Sequence, residues 1–358
     1  MSGHEILIAV MAVFAVLGAV DRILGNKFGI GKDFEEGILA MGSLAMAMIG
    51  VITLAPVLAA VLKPVVVPVF GFLGADAAMF AGTILACDMG GGSLAAQMTQ
   101  DPDAALLGGV LTGSMLGATI VFTIPVAMGI LDEADRPAMA KGILCGIVTI
   151  PIGVLAGGLV AGFPVLMVLR NLIPIVLIAA LIAFGLWKSE NAMIRGFAAF
   201  GKGVVALITA GLAAAIVQEL TGFVILPGMA PISEGFETVG EIAIVLAGAF
   251  PLVAVLTKLL QKPLLRLGKL LGVNDVAAAG LVASLANSIA TFGLVKEMDR
   301  RGKVVNIAFA VSAAFVFGDH LGFTAGFAPH MLPAMIVGKL VGGISAVVVA
   351  LWLTRKEA

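Results

Sequence analysis

The sequence predicts an all-α polytopic integral membrane protein. Three observations carry that reading: 61% of its 358 residues are hydrophobic, only 12% are charged, and 46 are glycine. A soluble domain carries about 25% charged residues, and glycine at this density fits close helix packing and interrupted helices in a membrane. The net charge of −1 gives no nucleic-acid signature. MSGHEILIAV has neither a basic leader nor a small-residue cleavage site, so it reads as a retained first span. Trp187 and Trp352 stand near basic residues at span ends, where interfacial anchors belong.

Apolar segments able to cross about 30 Å of hydrocarbon run over 5–24, 38–62, 77–97, 104–130, 139–162, 164–187, 196–219, 238–260, 275–295, 304–328 and 331–353. Eleven crossings would spread the basic residues almost equally over both faces. If 77–97 and 275–295 instead enter and return, the charges sort. Of the 21 basic residues, only Lys63 then falls outside and only Arg170 and Lys339 within spans. The positive-inside rule favours this arrangement: nine crossings, two re-entrant hairpins, N-terminus out and C-terminus in, with eleven crossings as the alternative. Each hairpin arm of about ten residues rises about 15 Å, half the hydrocarbon. Gly90-Gly91-Gly92 supplies a turn in the first hairpin and Asn287-Ser288 in the second.

The two hairpins belong to an internal repeat. Lys63-Pro64 matches Lys262-Pro263, Gly74 matches Gly272, Gly82 matches Gly280 and Ser114 matches Ser312, at a constant offset of 198–199 residues. Opposite hairpin directions make the repeat inverted, an arrangement typical of secondary transporters with the site at the repeat interface. The division is 1–163 for the first repeat, 164–195 for a connecting span and inner loop, and 196–358 for the second repeat.

Acids inside apolar segments mark the candidate site, since a carboxylate at the centre of a membrane helix costs roughly 2.5–3.5 kcal/mol even on lenient scales. Asp88 falls at the first hairpin tip, flanked by Cys87 and Met89, and Asn287 at the second, with Ser284 beside it. A helix ending at such a tip presents free carbonyls, which with a carboxylate suit a cation. The plainer role for Asp88 is to cap the returning arm. Asp319-His320 lies between Gly318 and Gly322, where a local break would let Asp319 hold a cation and His320 shuttle a proton. Its plainer role is structural, with Asp319 orienting His320 or pairing with Lys339. Thr119 completes the substrate-binding candidates. Glu35, Glu36 and Lys339 are candidates for a proton path or gate. The loop QDPDA, with Asp101 and Asp103, is expected outside as a mild cation attractor. Cys87 and Cys145 lack CxxC spacing and read as buried packing thiols, so no metal or cofactor is expected.

FEEGILAMG, MFAGTILACDMGG, GSMLGATIVFTIPVAMGI, NDVAAAGLVASLAN and DRRGKVVNIAFAVSAAFVFGDHLGF occur in that order. In these motifs the chain resembles the ethanolamine utilization protein H family, the bacterial ethanolamine permeases, from about residue 17 to 350. The resemblance implies transport of ethanolamine across the bacterial inner membrane to supply its catabolism, with ethanolamine and membrane lipids as partners and a homo-oligomer compatible. It does not set the coupling. A proton- or sodium-coupled carrier of another small amine is the alternative, for which Thr83, Ser93, Ser284 and Ser288 supply oxygen ligands. HExxH, GxSxG and doubled Asp-rich motifs are absent, so an intramembrane enzyme lacks its usual machinery.

Overall fold

The computed structural model describes residues 3–355, without the side chains of 260–262, 264, 265, 267 and 269. Lys356, counted above among the inner charges, lies outside the described residues, and the side chains of Lys262 and Lys269 are not among those described.

The chain is an all-α, multi-pass membrane protein. Seven of the described helices are long and apolar enough to cross a membrane. Their outer faces carry apolar side chains such as Val16, Val20, Leu177, Leu181 and Phe184, while Thr53, Thr112, Ser114, Asn306 and Lys339 are buried inside. That inversion of a soluble protein's arrangement is what hydrocarbon solvent demands, because polar groups must find partners within the protein.

In chain order, α1 (Gly3–Ile23) and α2 (Ile30–Phe72) precede a pair of short helices, α3 (Ala78–Ile84) and α4 (Gly91–Met98). Then come α5 (Pro102–Ile130), whose centre is wound as π-helix, and α6 (Glu133–Val160). The long α7 (Val165–Thr221) and α8 (Ile232–Leu271) follow. A second short pair is α9 (Asp275–Ala286) and α10 (Ser288–Leu294). The chain ends with α11 (Arg300–Ala313), α12 (Asp319–Phe327) and α13 (Leu332–Leu353).

The structure sharpens two expectations. The inner loop expected around 188–195 is reduced to a tight reversal joining two helices within Val165–Thr221, since Glu190, Ala192 and Met193 are good helix formers. The reversal is concentrated at Ser189 (φ −153°, ψ 68°). A side chain at Gly185 would meet Met193 Sδ at 2.6 Å, whereas eight residues of straight helix span about 12 Å, so the chain doubles back there. The segment 304–328 is broken between α11 and α12, over residues 314–318, so the break expected beside Asp319 lies on the N-terminal side of Gly318 and includes it.

Positions 198 residues apart share local structure. Gly74 and Gly272 both take left-handed φ, 71° and 66°. Asp76 Oδ1 accepts from Ala78 N at 2.7 Å ahead of α3, and Asn274 Oδ1 accepts from Ala277 N at 2.9 Å as the cap of α9. Asp101 and Asp299 cap α5 and α11 in turn, so Asp101 of the acidic loop serves as a helix cap. A Cβ on Gly82 would meet Gly108 O at 1.8 Å, and one on Gly280 would meet Asn306 Oδ1 at 2.4 Å. Each short pair therefore docks its first arm on the following helix at matching positions.

Candidate functional site

The tip of the first short pair is a tight turn. Leu85 and Ala86 are extended, Cys87–Met89 form a single 3₁₀ turn, and Gly90 takes φ 87°. A Cβ at Gly90 would lie 2.0 Å from Val51 Cγ1, so only glycine lets the tip press against α2. The N–H of Gly91 donates to Ala86 O at 2.9 Å and closes the turn. No side chain caps α4, so the plainer capping role for Asp88 is not what this tip uses. Instead Asp88 Oδ1 lies 3.7 Å from His320 Nε2 and 4.0 Å from Cys87 Sγ.

The break between α11 and α12 is held open by the second short pair. Phe315 N–H donates to Ser284 O at 3.1 Å and Phe317 N–H to Leu285 O at 2.9 Å. These bonds replace helical ones that an unwound backbone at membrane depth would lose. Phe315 takes φ 63°, a left-handed conformation that costs a non-glycine residue of order 1–3 kcal/mol and persists only where surroundings enforce it. Its ring stands edge-on to Phe122 (5.4 Å, 84°) and tilted over His320 (5.3 Å).

Asp319 lines two cavities. The central one, about 170 Å³, is lined by Ser43, Leu44 and Ala47 of α2, by Ala86, Asp88 and Met89 of the tip, by Ala118 and Phe122 of α5, and by Phe315, Asp319 and His320. The other, about 520 Å³, is a wider vestibule lined by Gly29, Asp33 and Glu36, by Lys258 and its neighbours on α8, and by Asn287, Phe317, Gly318 and Asp319. On α2 the lining positions 33, 36, 43, 44 and 47 fall on one helical stripe. That stripe rises about 21 Å, about two thirds of the hydrocarbon thickness.

The structure therefore brings Asp88, Met89, Asp319 and His320 into one cavity, with Cys87 directly behind its wall. Asn287 joins Asp319 in the vestibule, where its Oδ1 accepts from Ile289 N at 2.8 Å and caps α10. Glu36 also lines the vestibule, while Glu35 pairs at the surface with Arg22 at 3.1 Å. Lys339 is fully buried, and its Nζ donates to Ser114 O at 2.6 Å. Ser284 and Thr119 lie outside both linings. Ser284 Oγ is 2.8 Å from Thr291 Oγ1 inside the second short pair, and Thr119 Oγ1 lies within reach of Met115 O (2.7 Å) and Val311 O (3.0 Å), tying α5 to α11. Asp33, Ser43, Phe122 and Phe315 line the site without having been singled out from sequence. Asp33 and Ser43 carry a signal, since they share a helical face with Glu36; the backbone of Phe315 has none.

A polar cavity of this kind, walled by aromatics and reached along one helix face, suits a small cation. The family described as "Ethanolamine utilisation protein, EutH" matches residues 4–353. The chain belongs to the EutH family. This EutH-family chain is 61% identical to a protein of Listeria monocytogenes named "Probable ethanolamine permease EutH", over 99% of this chain and 95% of that protein. It is 51% identical to the uncharacterized protein YxeR of Bacillus subtilis, over 100% of this chain and 97% of that protein. A Salmonella typhimurium protein, also named "Probable ethanolamine permease EutH", is 49% identical over 100% of this chain and 97% of its own length. No solved structure matches this EutH-family chain.

Proposed function

We propose that the chain is a permease that carries ethanolamine, as its ammonium cation, across the bacterial cytoplasmic membrane to supply ethanolamine catabolism. The observation that carries this reading is Asp319 lining both cavities, with Asp88 lining the same central space. Two carboxylates attract the ammonium, and Phe122 and Phe315, which line the same cavity, are rings of the kind that add cation–π attraction. Ser43 Oγ gives its proton to Ala40 O at 2.9 Å, which leaves its lone pairs to accept a hydroxyl from the ligand. With about 30 Å³ per water-sized group, the 170 Å³ cavity holds a two-carbon amine alcohol and some water.

The vestibule opens to the cytoplasm in this reading, where Asp33 and Glu36 gather cations. Beyond Ala47 the path is shut by Val51 against Gly90. The two halves form an inverted repeat, 1–163 and 196–358, with nine crossings, two re-entrant hairpins, N-terminus out and C-terminus in. Shared caps at positions 198 residues apart support the repeat. The relatives named permeases support a carrier over an enzyme. Purified protein in liposomes should accumulate labelled ethanolamine unchanged. Labelled product would point to an enzyme, and no uptake above empty liposomes would sink the reading.

A further inference from the structure

Cys87, Asp88 and His320 present three different donor atoms, all within 4.8 Å of one another. Cys87 is fully buried, His320 is 3% exposed, and His320 Nδ1 has no hydrogen-bond partner. The reading above uses Asp88 from the cavity side; it leaves His320 and the thiol behind it without a role.

The distances fit a metal ion. Tetrahedral zinc, with bonds of about 2.0–2.3 Å, sets its ligand atoms about 3.3–3.8 Å apart. Asp88 Oδ1 lies 3.7 Å from His320 Nε2 and 4.0 Å from Cys87 Sγ, and all three donor atoms lie within 4.8 Å of one another, so side-chain movement of up to about 1 Å brings the set to tetrahedral spacing. The chemistry fits as well. Sulfur and imidazole select zinc and other thiophilic ions over magnesium or calcium. A thiolate and a carboxylate also balance a divalent charge, so the filled site adds no net charge to a low-dielectric interior. Three protein ligands leave the fourth position open toward the central cavity.

We infer that Cys87, Asp88 and His320 form a binding site for one thiophilic divalent cation such as Zn²⁺, and that the bound ion blocks the permeation path. Coordination forms Zn–S, Zn–O and Zn–N bonds and releases the thiol proton to solvent. Because the ion takes Asp88, zinc and the ammonium ligand exclude each other. The site stands on its own geometry and does not require that the ligand be ethanolamine.

The test is zinc titration of the purified full-length protein by isothermal calorimetry, with Co²⁺ as a spectroscopic probe. One Zn²⁺ per chain is expected, together with a thiolate-to-cobalt charge-transfer band. Cys87→Ser and His320→Gln should each weaken zinc binding at least tenfold, whereas Cys145→Ser should not. Added ethanolamine should weaken it in the wild type. If ethanolamine has no effect but the Cys87 dependence holds, the zinc site stands and the ethanolamine reading is at fault. Absence of the thiolate–cobalt band in the wild type overturns the proposal even where a variant fails to fold. Zinc affinity unchanged in folded Cys87→Ser overturns it too.

Discussion

Asp319→Asn separates a transport role from a structural one. The amide keeps the shape of the carboxylate and removes its charge at a position that lines both cavities. Truncating one member of a buried charge pair costs roughly 2–5 kcal/mol of binding. Asp88 remains in the cavity and the vestibule is wet, so the lower part of that range applies, about 2–3 kcal/mol. At about 1.4 kcal/mol per tenfold, ethanolamine affinity should fall about 30- to 150-fold. Stability should move the other way or not at all, because a neutral amide is cheaper to bury than a carboxylate. The loss of a favourable charge at the start of α12 offsets this by only about 0.3–1 kcal/mol. The assay is labelled-ethanolamine uptake into liposomes, paired with thermal unfolding of the same preparation. Uptake within about threefold of wild type in a folded variant refutes the role of Asp319. Collapse of uptake together with melting would make the residue structural.

Three other predictions use different parts of the molecule. Ser43→Ala should weaken ethanolamine uptake about two- to fivefold, the low end expected for a neutral hydrogen bond at a partly wet rim, and leave n-propylamine, which lacks the hydroxyl, unaffected; equal effects on both amines would remove Ser43 from recognition. Gln100→Cys and Lys296→Cys should label from opposite faces of the membrane, whereas labelling from one face would favour eleven crossings. Gly50→Val should lower the melting temperature by several degrees or abolish folding, because its Cβ would lie 1.9 Å from Ile208 O and overpacking against backbone costs about 1–3 kcal/mol or more; a wild-type melting curve would contradict that contact between α2 and α7.

Much of this was legible because membrane cost makes polar residues conspicuous. Asp88, Asp319 and His320 stood out against apolar neighbours, and the structure places all three around one cavity. The short pairs were legible from Gly90 and Asn287, which need no tertiary context to mark a turn. What stayed hidden depends on packing between distant segments. Phe315 reads as one more apolar residue, and its left-handed backbone exists only because Ser284 O and Leu285 O take over its segment's hydrogen bonds. Ser284 looked like a ligand by position, yet its hydroxyl faces Thr291. Cys87 has no CxxC partner in sequence; its companions come from adjacent Asp88 and from His320, far along the chain. Lys188 to Arg195 read as a loop by charge; the reversal is there, but good helix formers confine it to Ser189.

The aromatic wall sets the size limit of the site, and Phe122→Ala tests it. Phe122 holds Phe315 edge-on at 5.4 Å, and Phe315 in turn covers His320 at 5.3 Å. Such a ring pair is worth about 0.5–1.5 kcal/mol beyond its buried area, so the truncation loosens Phe315 as well as enlarging the 170 Å³ cavity. An extra methyl in a confined pocket costs about 1–3 kcal/mol. Choline differs from ethanolamine by N-methylation alone and retains the positive charge and the hydroxyl. Relieving even one methyl clash should therefore raise the ratio of choline to ethanolamine uptake about tenfold or more in Phe122→Ala, with Phe122→Leu between it and wild type. The ratio is the informative quantity, since a general loss from looser packing lowers both rates together. An unchanged ratio in a variant that still transports ethanolamine would mean that size is set elsewhere, and that Phe122 serves Phe315 rather than the ligand.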